Sequence, residues 1–475
     1  MEECDSFNKN QHGFRAGRSC LTQLLAHYDD IISKLEEGQN VDVVYLDFAK
    51  AFDKVDFNIL LRKIEKLGIQ GELLNWITEF LTNRKQSVIV NGNLSTQRPV
   101  ISGVPQGSVL GPLLFLVLIG DIDEDIVDST VTSFADDTRA KKGQKTEADA
   151  VELQNDLFRI YGWSQSNNME FNSLKFELIR YGRNEELKEQ TCYVSPEWEL
   201  IEEKKLVKDL GITLSQDCLF KQHLSNIIES AKRMSSWILR TFETREKIPM
   251  LTLYKSLVRP LLEYSSPLWS PIAKGEIQRL EEIQQSFIRK IKGVSHNYHT
   301  ALEQLNLYSL ERRRQRYLAI QIWKILEGLA PNLNEINGIK QQHGISHRRG
   351  RECHIFNLTQ TPSHLQAIRK QTLRCAGVKI FNELPKEIRN ITNTSVNVFK
   401  GNLDRYMQST ADTPYLRNAH ARQNFTLNPI PHSPPPYPQN IDVVNEHHTA
   451  VVQSYPTVPN LPERRPVIEP ATVTP

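Results

Sequence analysis

The 475-residue chain reads as an α+β domain followed by an all-α segment, a mixed region and a proline-rich tail. Three observations carry that reading. The run Val41-Asp42-Val43-Val44-Tyr45-Leu46-Asp47-Phe48 is rich in β-branched and aromatic residues, as a buried strand is. A second apolar run, Val131 to Phe134, ends at Ala135-Asp136-Asp137, which puts two carboxylates in a tight turn between short strands. From about Leu219 to Ala330 the apolar residues keep helical spacing.

The elements follow in order. Gln11 to Ser19 is a loop bearing glycine and arginine, and a helix from about Cys20 to Glu37 carries the stripe Leu21, Leu24, Leu25, Tyr28, Ile31, Ile32 and Leu35, closed by Gly38. After the strand at 41–48 come helices at Asp56 to Leu67 and Glu72 to Leu81. Ser87 to Asn91 is a strand turning at Asn91-Gly92, a strong hairpin signal. The loop Ser102 to Ser108 leads into an apolar helix, Leu110 to Ile119. Beyond the Asp-Asp turn, Thr146 to Trp163 is an amphipathic helix, Met169 to Leu178 closes a strand unit, and Leu206 to Leu214 forms another around Gly211. Residues 331–407 are mixed and polar, and 13 of the 24 prolines fall from Ala411 onward, so 411–475 is expected to be disordered.

Composition narrows the class. Hydrophobic residues at 39% and charged residues at 24% describe a globular chain with some loosely ordered sequence. The net charge is only +2, yet residues 231–320 hold 16 Lys/Arg against 8 Asp/Glu. That surplus suggests a polyanion partner or, alternatively, a solvated helix face. Six cysteines without a CxxC pair indicate neither a disulfide framework nor a zinc ribbon, and a reducing compartment fits. The longest apolar run, Val109 to Ile119, is broken by Gly111-Pro112 and too short to span a bilayer. With no signal pattern at Met1 to Asp5, an intracellular protein without a membrane partner is expected, nuclear or cytoplasmic.

Neighbouring aspartates on a strand point to opposite faces, but a tight turn lets both crowd one spot, where like charges call for a cation or a shared proton. Asp136-Asp137 is therefore a candidate divalent-metal site or an ordinary solvated turn. Asp47, at a strand end 89 residues earlier, tilts the balance. Hard Mg²⁺ ions need only one or two protein carboxylates plus substrate phosphates, and two ions about 3.5–4 Å apart serve in-line phosphoryl transfer.

Read in order, Gly13-Phe14-Arg15-x-Gly17-Arg18-Ser19, Asp47-Phe48-Ala49-Lys50-Ala51-Phe52-Asp53, Gly103-Val104-Pro105-Gln106-Gly107 and Phe134-Ala135-Asp136-Asp137 resemble a reverse transcriptase. Phe171-Asn172-x-x-Lys175, Lys208-Asp209-Leu210-Gly211-Ile212, Arg259-Pro260-Leu261-Leu262-Glu263-Tyr264 and Trp269-Ser270-Pro271 resemble the non-LTR, LINE-type group in its Jockey-like branch. Phe381-Asn382-Glu383-Leu384-Pro385 is similar too, with Phe381 where tryptophan is usual, and the resemblance covers about residues 7–407.

The resemblance implies a polymerase palm at 7–218 (a small antiparallel sheet backed by helices, with partial fingers at its start), an all-α thumb at 219–330 and a mixed region at 331–407. It implies RNA-directed DNA polymerisation, with two Mg²⁺ ions, or Mn²⁺, held by Asp47, Asp136, Asp137 and the Phe48 carbonyl. The implied partners are an RNA template, a DNA primer and dNTPs. By the same resemblance Phe52 is an aromatic gate against the ribose 2′-hydroxyl, and Gln106 and Gly107 lie at the incoming nucleotide. Lys175 is a proton donor near the triphosphate, Arg15 and Arg18 lie near the template, and Leu210-Gly211 is the primer-grip hairpin. Each has a plainer alternative: a core aromatic, a Pro-Gln-Gly turn, a solvated lysine, two surface arginines.

Arg312-Arg313-Arg314 with Arg316 is a candidate phosphate-binding run or a solvated charge run. His343, His347, Cys353 and His354 fit no standard zinc spacing. Pro434-Pro435-Pro436-Tyr437 has the Pro-Pro-x-Tyr form that WW domains bind, or reflects the tail's composition. In the family a fingers segment and an apurinic-type endonuclease lie upstream of the Gly-Phe-Arg loop. Their absence before Gly13 is expected to weaken nucleotide binding. Two other functions therefore stand beside polymerisation: an inactive product that only binds nucleic acid, and an adaptor for WW-domain proteins.

Overall fold

β1 (Asn40–Leu46) runs through the middle of a four-stranded antiparallel sheet of order β6-β7-β1-β8, with β6 at Thr130–Phe134, β7 at Asp137–Gln144 and β8 at Glu177–Tyr181. The computed structural model describes residues 8–331, 351–412 and 414. The chain divides into a unit of residues 1–423 and one of 424–475, and the second lies outside the described residues. The sheet belongs to the first.

Strand periodicity gives this sheet a core on each face. Val41 and Val43 join α1 (Cys20–Glu36), Ile179 and Tyr181 in one apolar cluster. Val44 and Leu46 join α2 (Phe57–Lys66), α4 (Leu110–Ile119) and α5 (Glu147–Ser166) in the other. Burial on both sides explains why β1 reads as a largely apolar run. Its one acid, Asp42, is fully buried and accepts from Arg180 Nη2 at 2.9 Å and Tyr193 Oη at 2.7 Å. Buried carboxylates survive only with such partners.

Between these elements lie α3 (Gly71–Leu81) and four two-residue strands, β2 (Lys85–Gln86), β3 (Ile89–Val90), β4 (Asn93–Leu94) and β5 (Arg98–Pro99). β3 and β4 pair across Asn91-Gly92, both with positive φ, as that dipeptide predicts. The strand expected at Met169 to Leu178 is displaced. Ser173–Lys175 is a 3₁₀ turn, and the ladder with β1 starts only at Glu177, opposite Tyr45. Lys175 therefore stands on a turn rather than in a strand. A short helix α6 (Glu185–Gln190) precedes the separate hairpin β9 (Leu206–Asp209) and β10 (Ile212–Ser215).

Residues beyond 220 are helical: α7 (Lys221–Thr241), α8 (Lys247–Leu253), α9 (Ser266–Trp269), α10 (Lys274–Ile288), α11 (Tyr298–Leu305) and α12 (Leu310–Leu326). α13 (Gln366–Gln371), α14 (Val378–Glu383), α15 (Lys386–Arg389) and α16 (Val396–Gln408) pack on them, with Phe399 stacked on Trp323 at 4.6 Å. No described helix is long and apolar enough to cross a membrane.

The arginine run on α12 is turned inward, against the expectation of a phosphate-binding surface. Arg313 grips Glu263, Arg316 grips Asp404, and Arg312 Nη1 donates to the Met407 and Thr410 carbonyls at 2.6 Å. Arg314 is 2% exposed. At one turn's spacing Arg312 and Arg316 share a face, and that face meets α16. His343, His347 and the Pro434 to Tyr437 motif lie outside the described residues. Cys353 is buried and its amide donates to Asn382 Oδ1 at 2.7 Å.

Candidate active site

Asp47 follows the last residue of β1, and Asp137 opens β7. The antiparallel register pairs Leu46 with Thr138. One step further along the two strands, Asp47 stands opposite Asp137, on the same face of the sheet. Ala135 and Asp136 form the two-residue turn between β6 and β7, with Ala135 at φ +55°. The sheet thus delivers three carboxylates to one end of its two central strands.

The turn is braced from the N-terminal loop. Gln11 is 4% exposed; its Oε1 accepts from the Ala135 amide at 2.8 Å and its Nε2 donates to the Ala135 carbonyl at 3.2 Å. His12 N donates to the Ser133 carbonyl at 2.8 Å, so residues 10–12 run beside β6. A Cβ on Gly13 would sit 2.4 Å from the Ala135 amide nitrogen, so only glycine fits that approach. Sequence reasoning passed over Gln11; the signal was its place beside a glycine that the chain could not replace.

Crowding shows in the acidity. Asp137 is pushed up to about 6 by the loss of water around it and then by Asp136 and Asp47, with Arg139 opposing. Asp136 is raised by burial and by Asp47. Asp47 Oδ2 accepts from Lys175 Nζ at 3.0 Å, which brings the one cation of the Phe171 to Lys175 segment to the acids. Asp47 is fixed through its own carbonyl as well, which accepts from Asn172 N at 2.7 Å. Phe48 is buried, its ring stacked on Phe171 at 4.3 Å.

A cavity of about 420 Å³ opens here, lined among others by Asp47, Asp137, Lys175, Lys208, Asp209 and Leu210. The structure therefore gathers the two strand-end acids, the lysine and the β9–β10 hairpin around one space. Among the described residues no three His, Cys, Asp or Glu side chains converge as a ready-made metal cage. The donor set nonetheless suits a hard divalent cation: hard oxygens only, with Asp136 and Asp137 made reluctant to ionise by burial and then by neighbouring carboxylates, a cost such an ion relieves.

Other expected residues lie elsewhere. Phe52 stacks on Phe115 at 4.2 Å and meets Phe14 edge-on, half-buried and outside the cavity lining. Gln106 Nε2 donates to Asp53 Oδ1 at 2.8 Å, and the loop is strapped along 52–55 by Val104 N to Phe52 O and Gly103 N to Val55 O, both 2.9 Å. A Cβ on Gly103 would meet Asp53 backbone atoms at 2.7–2.9 Å. Gly107, at φ +81°, faces open space. Arg15 Nη1 donates to the Asn8 carbonyl at 2.6 Å and Arg18 to that of Lys9, which holds both to their own loop. Leu210 and Gly211 form the β9–β10 turn at φ +45° and +83°.

Residues 1–214 match the family described as reverse transcriptase (RNA-dependent DNA polymerase). The probable RNA-directed DNA polymerase from transposon X-element of Drosophila melanogaster is 27% identical over 296 residues, 60% of this chain and 32% of that protein. The RNA-directed DNA polymerase from mobile element jockey of the same fly is 28% identical over 297 residues, again 60% and 32%. Among solved structures, apo telomerase from Candida Tropicalis aligns at a TM-score of 0.37 and 10% identity, over 67% of this chain and 50% of that one. The chain spans about a third of the length of these curated relatives. Residues 1–214 thus match the reverse transcriptase family, and the chain is similar in sequence to the RNA-directed DNA polymerases of Drosophila mobile elements.

Proposed function

We propose that this chain catalyses RNA-directed DNA polymerisation, adding dNTPs to the 3′-end of a DNA primer on an RNA template. The observation that carries the proposal is the gathering of Asp47 and Asp137, with Asp136 at their side, around the cavity that Lys175 and Leu210 also line. In this reading residues 7–218 are the palm with partial fingers, 219–330 the thumb, and 331–407 a region packed against it.

Asp47, Asp136, Asp137 and the Phe48 carbonyl would hold two Mg²⁺ ions, with Mn²⁺ as a substitute. Bound there, the ions supply the charge that activates the primer hydroxyl and meets the departing pyrophosphate. The chain's own task is placement, which accounts for most of the catalysis in phosphoryl transfer. Rigid strand ends set the carboxylates. Lys175, held at Asp47, stands ready to give a proton to the leaving pyrophosphate. Phe52, stiffened by Phe115, walls the sugar and turns away a 2′-hydroxyl. Gln106, held by Asp53, meets the incoming nucleotide beside Gly107. Leu210-Gly211 seats the primer end, and Arg15 and Arg18 stiffen the loop nearest the template.

The test is dTTP incorporation on poly(rA)/oligo(dT), comparing wild type with Asp136→Asn. Incorporation that requires Mg²⁺ and disappears in the variant is expected. No incorporation by either, with the duplex still bound, would leave a nucleic-acid-binding protein in place of a polymerase.

A further inference from the structure

One face of β7 carries a row of charges, an acid followed by two cations. Asp137 opens onto the cavity, Arg139 is two residues further into the sheet, and Lys141 two beyond that, with Arg139 and Lys141 each 3% exposed. Side chains at i and i+2 share a face, so this is one row, and each buried cation in it has an acid from a different element. Lys141 meets Asp30 of α1 at 2.7 Å. Arg139 meets Asp209, the last residue of β9, whose side chain is 6% exposed. Arg139 Nε also donates to Thr132 Oγ1 of β6 at 3.0 Å, so its guanidinium is aimed from the sheet outward to the hairpin.

The hairpin also packs on the sheet, with Val207, Ile212 and Leu214 buried in one apolar cluster with Val41, Val43, Ile179 and Tyr181, but such packing is non-directional. β9 and β10 form their own two-stranded sheet, and no ladder joins them to β6-β7-β1-β8 among the described residues. The backbone links lie just before β9, where the Lys204 amide donates to the Leu178 carbonyl at 2.7 Å and the Leu178 amide to the Glu202 carbonyl at 3.1 Å. On the far side Tyr264 Oη donates to the Leu210 carbonyl at 3.0 Å, which ties the turn to the helical region. The ion pair is thus a side-chain tie between the strand bearing Asp137 and the residue directly before Leu210-Gly211.

We propose that Arg139 and Asp209 are positioning residues that set the distance between the carboxylate end of β7 and the primer-seating turn. The inference rests on the polymerase reading above. Neither residue touches the reacting atoms. They act through Leu210-Gly211, whose offset from Asp137 decides whether a primer 3′-hydroxyl reaches the metal-binding acids. Phosphoryl transfer is steeply sensitive to such offsets, with about 100-fold lost for a displacement of about 1 Å.

The experiment compares wild type with Arg139→Met, Asp209→Leu and the pair of substitutions together, since a buried ion pair can often be exchanged for apolar residues without loss of stability. In the double variant, melting is expected to stay near wild type while amide exchange across Leu206 to Ser215 speeds up. The rate of dTTP incorporation at saturating oligo(dT) on poly(rA) is expected to fall about tenfold or more, with the KM for dTTP unchanged. A purely structural pair would show the reverse: the singles destabilised, the double restored in stability and in incorporation rate alike. If the double variant does not fold, Arg139→Lys, which keeps the charge and loses the reach, is read by the same two measurements. Wild-type exchange at Leu206 to Ser215 in a folded variant overturns the tie, whatever the activity. Faster exchange in the variants, with no incorporation by the wild type, would sink the polymerase reading and leave the tie standing.

Discussion

The sheet end and the helical region treat charge in opposite ways. Around α12, arginines and acids are matched: Arg313 with Glu263, Arg316 with Asp404, and Arg369 of α13 with Asp29 and Glu36 of α1. At the ends of β1 and β7, three acids crowd one place, and Lys175 is bonded to Asp47 alone of them. Matched pairs hold elements together. Mutually repelling acids do not stabilise a fold, and a protein keeps them where something else must bind. The contrast sets the helical arginines apart as architecture and leaves the aspartates as the unmatched group, although both look like surface charge in the sequence.

The largest expected effect breaks the contrast on the acidic side. Asp136→Asn and Asp47→Asn should each cut dTTP incorporation by about 100- to 1,000-fold, the scale of removing a principal electrostatic stabiliser. Their thermal melts without divalent ions should match or exceed wild type. A variant that loses activity only because it unfolds would contradict the assignment.

On the paired side the expectation reverses. Arg369 is fully buried between Asp29 and Glu36, so Arg369→Met should lower unfolding free energy by about 3–5 kcal/mol, measured by urea titration, because it strands buried acids. Per folded molecule, primer extension should be little changed.

Acidity sharpens the comparison further. A carboxyl raised from 3.8 to about 6 binds its proton more tightly folded than unfolded. Its contribution is thus fully present below about pH 4 and is lost as pH rises through about 6. Asp137→Asn removes that dependence. The melting difference between variant and wild type should therefore grow in the variant's favour from pH 4 to pH 7, and saturating Mg²⁺ should erase it. A constant difference across that range would show that Asp137 is not crowded. Apparent Mg²⁺ affinity should rise through the same window, as binding must displace the proton.

The smallest effect concerns an exposed bond. Asp53→Ala removes the acceptor that holds Gln106 and should raise the KM for dTTP by about three- to tenfold, the worth of one net hydrogen bond, with melting unchanged.

Much of this was legible in the chain. Val41 to Leu46 had to be a strand because β-branched residues buried on both faces fit nothing else. Asn91-Gly92 had to be a hairpin turn because both positions need positive φ. Leu110 to Ile119 is helical as read. The Asp-Asp turn and the strand-end Asp47 stood out because acids placed beside apolar runs demand a reason. Local chemistry dictated those features, so local sequence revealed them.

Pairing across the chain was not legible, because it depends on which elements meet. Nothing near Arg312 to Arg316 announces that Glu263 and Asp404 will face them, and a run of four arginines reads the same whether it is solvated or turned inward. Nothing near Asp209 announces Arg139, 70 positions away, and the start of β8 was set by its register with β1 rather than by its own residues. By itself the sequence determined the central strand, the Asn-Gly and Asp-Asp turns and the three aspartates, because backbone preference and burial act over a few residues. Tertiary structure alone decided which charges are neutralised and which are left to repel, because an ion pair or a shared cavity exists only once distant elements have packed.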